Sequence, residues 1–340
     1  MKSLTRPLAA LTLILTFPHP LPLSAEPYTN PVWTRNWPDP TIWRGTDGFF
    51  YSLATPGQRR SRLIRSRDLA QWEMTEISPF TPETWETLYR HGEKLWAPDA
   101  IKIGRRHLLY ITVYNSDRDS SIAVLTSATP TGPYQFHGFI TRSKETGIKD
   151  TIDPEAVADP LDGRVWLFFG SIGRIHRVQL TADGLALAPN AKYVPVAGLD
   201  VDRNHNRSNV YEGCYLYRHG GYWYLFASGG NFGNHTYRIV AGRSKSLTGT
   251  FVDKQGKPMT EGFATTLLQS TESDTFFGPG HNGEIFTDKT GKTFMLYHCH
   301  SKKAPPHLRF LMLQEILWGA DGWPYFKDGK PAATGEKGRW

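Results

Sequence analysis

Cysteine is nearly absent from this 340-residue chain: only Cys214 and Cys299 occur. Two thiols supply no zinc motif and no disulfide framework, although an oxidising compartment would permit them one disulfide. Long apolar runs are lacking too. The run from Leu8 to Phe17 falls well short of the ~20 residues that a membrane helix needs, and nothing later approaches that length. No membrane span is expected. Runs of like charge are also missing: Lys and Arg number 39 against 32 Asp and Glu, a formal charge of +7, but the basic residues are dispersed. A scattered basic surface follows, and nucleic acid is not expected as a partner.

The first 25 residues have a different character. Basic Lys2 and Arg6 precede the apolar run, and a Pro-rich stretch ends in Leu23-Ser24-Ala25 before Glu26. This order reads as a secretory signal peptide over residues 1–25. The expectation is a secreted or periplasmic protein whose mature part, residues 26–340, forms one domain.

What the chain has in abundance is aromatics and turn formers. Trp, Tyr and Phe number 11, 15 and 18, with 32 Gly and 24 Pro spread throughout. Short strands are favoured over long helices. One strand type recurs five times, a Gly-containing turn followed by an aromatic run ending in small or polar residues. The copies are DGFFYSLAT, GRRHLLYITVYN, DGRVWLFFGS, GGYWYLFAS and TGKTFMLYHCH. Their turn glycines, Gly48, Gly104, Gly163, Gly220 and Gly291, lie 56, 59, 57 and 71 residues apart. A second apolar stretch follows each copy, so every unit holds several antiparallel strands. The prediction is all-β, a five-bladed β-propeller with aromatic faces buried between blades. Pro82 to Lys94 reads as a short helical insertion, and the residues beyond Phe326 as a polar tail.

Each repeat opens on a polar signature just before its aromatic strand: WPDPTIW, LWAPDAI, TIDPEAV, VYEGCYL and GPGHNGEI. Their polar residues Asp39, Asp99, Asp153, Glu212 and His281 step by 60, 54, 59 and 69. The innermost strand of a propeller blade lines the axis, so equivalent positions converge at one mouth of the channel. Asp-Pro pairs are common turn formers, and any one of these residues alone could cap a loop. Three carboxylates held together in a partly dry funnel are another matter: they repel and raise one another's pKa, an arrangement suited to acid–base work.

The order DPT, IDP, EG and GPGHNG resembles glycoside hydrolase family 43, with further matches at WAPD from Trp96, RSKSLTGTFVDKQG from Arg243 and ADGWP from Ala320. The resemblance spans about residues 33–326. It implies an inverting mechanism in which Asp39 is the general base, Glu212 the general acid and Asp153 the group that orients and tunes Glu212. Inversion calls for acid and base roughly 6.5–9.5 Å apart. The resemblance further implies that Arg309 reaches the active-site carboxylates or the substrate. It implies too that His281 faces a calcium or similar ion on the axis through its ring and waters. Trp96 reads as a sugar-stacking platform, with a blade-core tryptophan as the alternative. His298 and His300 could line the axis or sit elsewhere. Cys214 departs from the family pattern, since a proline or small residue is expected two places after the acid.

Family members cleave arabinan, arabinose side chains or β-xylosides. The fourth and fifth repeats look most like the arabinan-cleaving kind, which makes α-1,5-linked L-arabinan, a plant cell-wall polysaccharide, the expected substrate of a monomeric enzyme. A β-xylosidase or an arabinoxylan α-L-arabinofuranosidase is the alternative within the family, and a non-catalytic sugar-binding propeller the alternative outside it. The Asn-Asp-Pro and Arg-Asp-Pro signatures of fructan-active propellers are absent, and the period is too long for WD-type repeats.

Overall fold

The computed structural model describes residues 26–56, 61–115, 119–200 and 210–340. The predicted signal peptide lies outside them, as does most of the polar loop before Glu212. Five antiparallel sheets follow one another along the chain, and each is one blade. Their innermost strands are Thr41–Arg44, Lys94–Ile103, Glu155–Ala158, Tyr211–His219 and Phe276–Gly280. The second strands, Phe50–Leu53, Arg106–Tyr114, Val165–Phe169, Tyr222–Gly229 and Thr293–Ser301, are the aromatic runs that mark the repeat.

Alternation along these strands builds the core. In the second blade Leu109 and Ile111 pack toward the first blade, while Leu108 and Tyr110 pack toward the third. The same division holds around the ring, giving five apolar clusters, each between two neighbouring blades. Cys214 and Cys299 are buried free thiols in two of these clusters. The insertion is a helix over Pro82–His91, capped by Thr81, whose hydroxyl accepts from the Thr84 N–H, and anchored by buried Trp85 and Leu88. Lys94 already belongs to the second blade. No helix among the described residues is long and apolar enough to cross a membrane.

The segment beyond Phe326, expected to be a polar tail, is part of the fold. Thr334–Glu336 pairs with Pro27–Thr29. Tyr28 donates to the Leu313 carbonyl at 2.8 Å. The Trp340 ring lies 5.3 Å from Phe50 and 5.6 Å from Phe294, so the two ends of the chain clasp the first blade to the fifth. Trp340 is the reason for the correction: its apolar contacts come from residues remote in sequence.

Two further regularities shape the axis. Asp39, Ala97, Asp153, Gly213 and His281 all adopt left-handed backbone, with φ of 52, 40, 57, 53 and 41°. Such φ values are uncommon away from glycine, and here they mark the structurally equivalent position of the repeat. In the second and fourth blades the strand register shifts at this point, a bulge that re-aims the side chains, and in the fifth it shifts just before it, between Phe277 and Gly280. Asp99 is therefore two residues past the equivalent position and Glu212 one before it.

Two or three residues beyond the left-handed position, each blade reaches the next. The Ala100 N–H donates to Thr41 Oγ1 at 3.1 Å, the Ala156 N–H to Asp99 Oδ2 at 2.8 Å, and the Leu216 N–H to Glu155 Oε1 at 3.3 Å. The Tyr215 hydroxyl faces the Ile285 N–H. The Ile42 N–H donates to Glu284 Oε2, which closes the circle. Thr41, Asp99, Glu155, Tyr215 and Glu284 thus form a belt around the channel beneath the funnel.

Candidate active site

In an antiparallel blade the end of the second strand lies beside the start of the first. The funnel mouth is consequently made of both. A pocket of about 290 Å³ there is lined by Asp39, Asp153, Glu212 and His281 from strand starts, and by Thr55, Tyr114, Ser171 and Phe232 from strand ends. Trp96, Arg309, Ile152, Ile172 and Asp150 complete the wall. Two larger surface recesses contain one carboxylate each, Asp47 and Glu76. Of these three recesses, the funnel is the one that brings several carboxylates together.

Asp39 is held by donors on both oxygens. Arg309 Nη1 donates to Oδ1 at 2.8 Å, His281 Nδ1 lies 3.3 Å from the same oxygen, and Thr55 Oγ1 donates to Oδ2 at 2.6 Å. The Asp39 N–H in turn donates to His298 Nδ1 at 3.1 Å. Burial pushes this carboxyl up, but Arg309 above all, with His281 and the Thr55 hydroxyl, outweighs burial and holds it well below the usual carboxylate range. His298 is fully buried, and desolvation with the nearby Arg309 charge pushes its pKa well down, so its neutral ring accepts the Asp39 N–H.

Glu212 sits differently, with a hydroxyl on each oxygen. Ser171 Oγ donates to Oε2 at 2.5 Å and Tyr237 Oη to Oε1 at 2.7 Å. Both of these partners are neutral. Asp153 lies in the same dry pocket, where its N–H donates to Thr112 Oγ1 at 3.1 Å and its carboxylate accepts from the Gly213 N–H. Burial drives the Asp153 carboxyl well above its ordinary value, and the charges of Glu212 and Asp39 drive it further. The funnel therefore sets a firmly ionised carboxylate, Asp39, close to Asp153, a buried carboxyl whose pKa burial and neighbouring charge drive up.

Comparison with known proteins gives this geometry its context. The family model "Glycosyl hydrolases family 43" matches residues 28–324. The chain is a member of glycoside hydrolase family 43. Among its relatives is the extracellular exo-α-(1→5)-L-arabinofuranosidase ArbA of Cellvibrio japonicus, 28% identical over 84% of this chain and 85% of that one. Another is the extracellular endo-α-(1→5)-L-arabinanase 1 of Bacillus subtilis, 30% identical over 85% of this chain and 87% of that one. The solved α-L-arabinanase of Cellvibrio cellulosa in complex with arabinohexaose aligns with TM-score 0.74 at 27% identity, covering 87% of this chain and 96% of the other.

In this family 43 hydrolase Trp96 lies on the pocket wall, its ring stacked on Tyr114 at 4.3 Å and 27°. Facing apolar surface comes from half-exposed Phe232, with the Arg309 guanidinium 5.4 Å from its ring centre. The ion expected beside His281 needs a donor set. Calcium takes six to eight oxygens, and no group of three or more His, Cys, Asp or Glu side chains among the described residues is arranged to hold a metal. His281 directs Nδ1 at Asp39 instead. An ion held by the His281 ring and waters would need no such cluster, and the mechanism proposed for the funnel does not depend on one. Asp99 belongs to the belt and does not line the pocket.

Sequence reasoning did not single out Thr55, Ser171, Phe232 or Tyr237, and it left His298 open. A signal for the first three was present: each lies at or just past the polar end of an aromatic run, beside the start of its own blade's inner strand. Tyr237 carries no such mark, since it precedes a third strand.

Proposed function

We propose that this enzyme is exported and hydrolyses α-1,5-linked L-arabinan or its oligosaccharides with inversion, each chain acting alone. The observation that carries the mechanism is the contrast between the two carboxyls, Asp39 clamped as an anion by Arg309 and Glu212 held by the hydroxyls of Ser171 and Tyr237. Asp39 takes a proton from a water as that water attacks the anomeric carbon. Glu212 gives its proton to the departing oxygen as the glycosidic bond breaks. Asp153, beside Glu212, keeps the pair's charge low until substrate arrives. Trp96 and Phe232 offer apolar faces to the C–H surface of a pentose ring.

The arabinan reading draws on the relatives named for that linkage, and export on their being named extracellular. A complete set of acid, base and aromatic walls within one chain supports action as a monomer.

The test is incubation with linear arabinan, arabinoxylan and xylobiose, with chromatography of the products and proton NMR of the first anomer formed. Arabinose or arabino-oligosaccharides of inverted configuration are expected. Release of xylose alone would overturn the substrate. Glu212→Gln should lower kcat about 10²- to 10⁴-fold on arabinan while oligosaccharide binding persists; unchanged turnover would point to a different acid.

A further inference from the structure

We infer that Tyr237 is a positioning residue for the general acid: it grips Glu212 Oε1 on the protein side so that the proton leaves from Oε2 on the pocket side. This rests on the acid role given to Glu212 above. Ser171, the partner of Oε2, lines the pocket, whereas Tyr237, the partner of Oε1 at 2.7 Å, is buried behind it.

Tyr237 is unusually fixed. Its ring lies parallel to buried His298 at 5.8 Å and 11°. It fills the space above Gly280, where a Cβ would stand 2.0 Å from Cε1. Its oxygen accepts from Ser228, whose Oγ accepts from the His281 N–H at 2.6 Å. A directed line therefore runs from His281 N–H through Ser228 and Tyr237 to Glu212. Desolvation and the Glu212 charge keep the phenol protonated, so it is always a donor.

The consequence is catalytic. When the Glu212 O–H breaks and its proton passes to the leaving oxygen, the Tyr237 bond becomes one to a full carboxylate, and hydrogen bonds to charge are about twice as strong as neutral ones. The interaction strengthens as the acid gives up its proton, which is where it lowers the barrier.

The test is Tyr237→Phe on three substrates of graded leaving-group acidity: 4-nitrophenyl α-L-arabinobioside, phenyl α-L-arabinobioside and arabinotriose. Arabinotriose, with the poorest leaving group, should lose about 10- to 100-fold in kcat, and the 4-nitrophenyl glycoside far less. KM should stay nearly constant, and the basic limb of the pH–kcat/KM profile should move up by about one pH unit. Ser228→Ala, which leaves the ring in place, should shift both readouts in the same direction by less, and decides the matter if the phenylalanine variant misfolds. Equal losses on all three substrates with an unmoved limb, or no loss, would overturn the role. A wild-type enzyme inert on all three would instead sink the arabinan reading, and the same comparison on phenyl and 4-nitrophenyl β-D-xylosides and xylobiose would then decide the role of Tyr237.

Discussion

At the scale of single residues, the funnel works by giving similar groups unlike surroundings. Asp39 and Asp153 share the left-handed backbone and the Asp-Pro sequence. Yet the first is surrounded by Arg309, His281 and Thr55, and the second by two other carboxylates. Arg309 is the cation that separates them. Replacing it with Met removes a charge that favours ionised Asp39, so the base becomes easier to protonate. The acid limb of the pH–kcat/KM profile should then move to higher pH, while Arg309→Lys should move it less; initial rates from pH 3 to 9 decide this, and an unmoved limb would show that Arg309 does not set the base. The carboxylates were legible in sequence because the chemistry demands their type and the repeat fixes their phase. Thr55 and Ser171 went unread because a hydroxyl that holds a carboxylate looks in sequence like any that ends a strand, and Tyr237 because it stands before a third strand with nothing to mark it.

At the scale of elements, the five aromatic strands were legible because alternating apolar residues on a strand buried on both faces leave a strong periodic signal. The bulge was not. It places Ala97, and not Asp99, level with Asp39, a two-residue offset that no spacing of polar residues reveals. Gly213 shows why the position matters: a Cβ there would stand 2.8 Å from the His281 ring, so the fourth blade needs glycine where others tolerate Asp or Ala. The terminal clasp was misread for a related reason, since a lone Trp after polar residues shows nothing of Phe50, Phe286 and Phe294 waiting on other blades. Trp340→Ala removes that aromatic contact and the indole bond to the Asp68 carbonyl at 3.1 Å. It should cost about 2–3 kcal/mol, less than a fully buried Trp, and lower Tm by roughly 3–5 °C with kcat at 25 °C unchanged. A variant that melts with the wild type would show that the clasp does not hold the ring closed.

At the scale of the whole molecule, the belt joins every blade to its neighbour around a channel that holds three buried carboxyls. Burial pushes Asp99 up to about 7 and Glu284 up to about 8, and it pushes Glu155, which faces both, well above its ordinary value. Tyr215, Tyr110 and the Cys214 thiol, titratable groups packed against them, are likewise driven up by burial and keep their protons. All three carboxyls bind protons more tightly in the folded chain than in the unfolded one, where values near 4 apply. The folded state therefore carries the extra protons between pH ~4 and ~8, and linkage makes stability fall as pH rises through that window. Each group contributes at most about 1.4 kcal/mol per pH unit. Asp39 acts in the opposite sense: its lowered pKa stabilises the fold above pH ~4, and that contribution is lost as the solution becomes more acidic than this. The belt carboxyls and Asp39 thus pull the pH dependence in opposite directions, the belt above pH ~4 and Asp39 below it. Glu284→Gln isolates the belt, because the amide oxygen can accept the Ile42 N–H and the amide nitrogen can donate to Thr41, while nothing titrates. Its Tm should decline less steeply from pH 5 to 9 than that of the wild type, and parallel declines would mean that the belt carboxyls are already ionised in the folded ring.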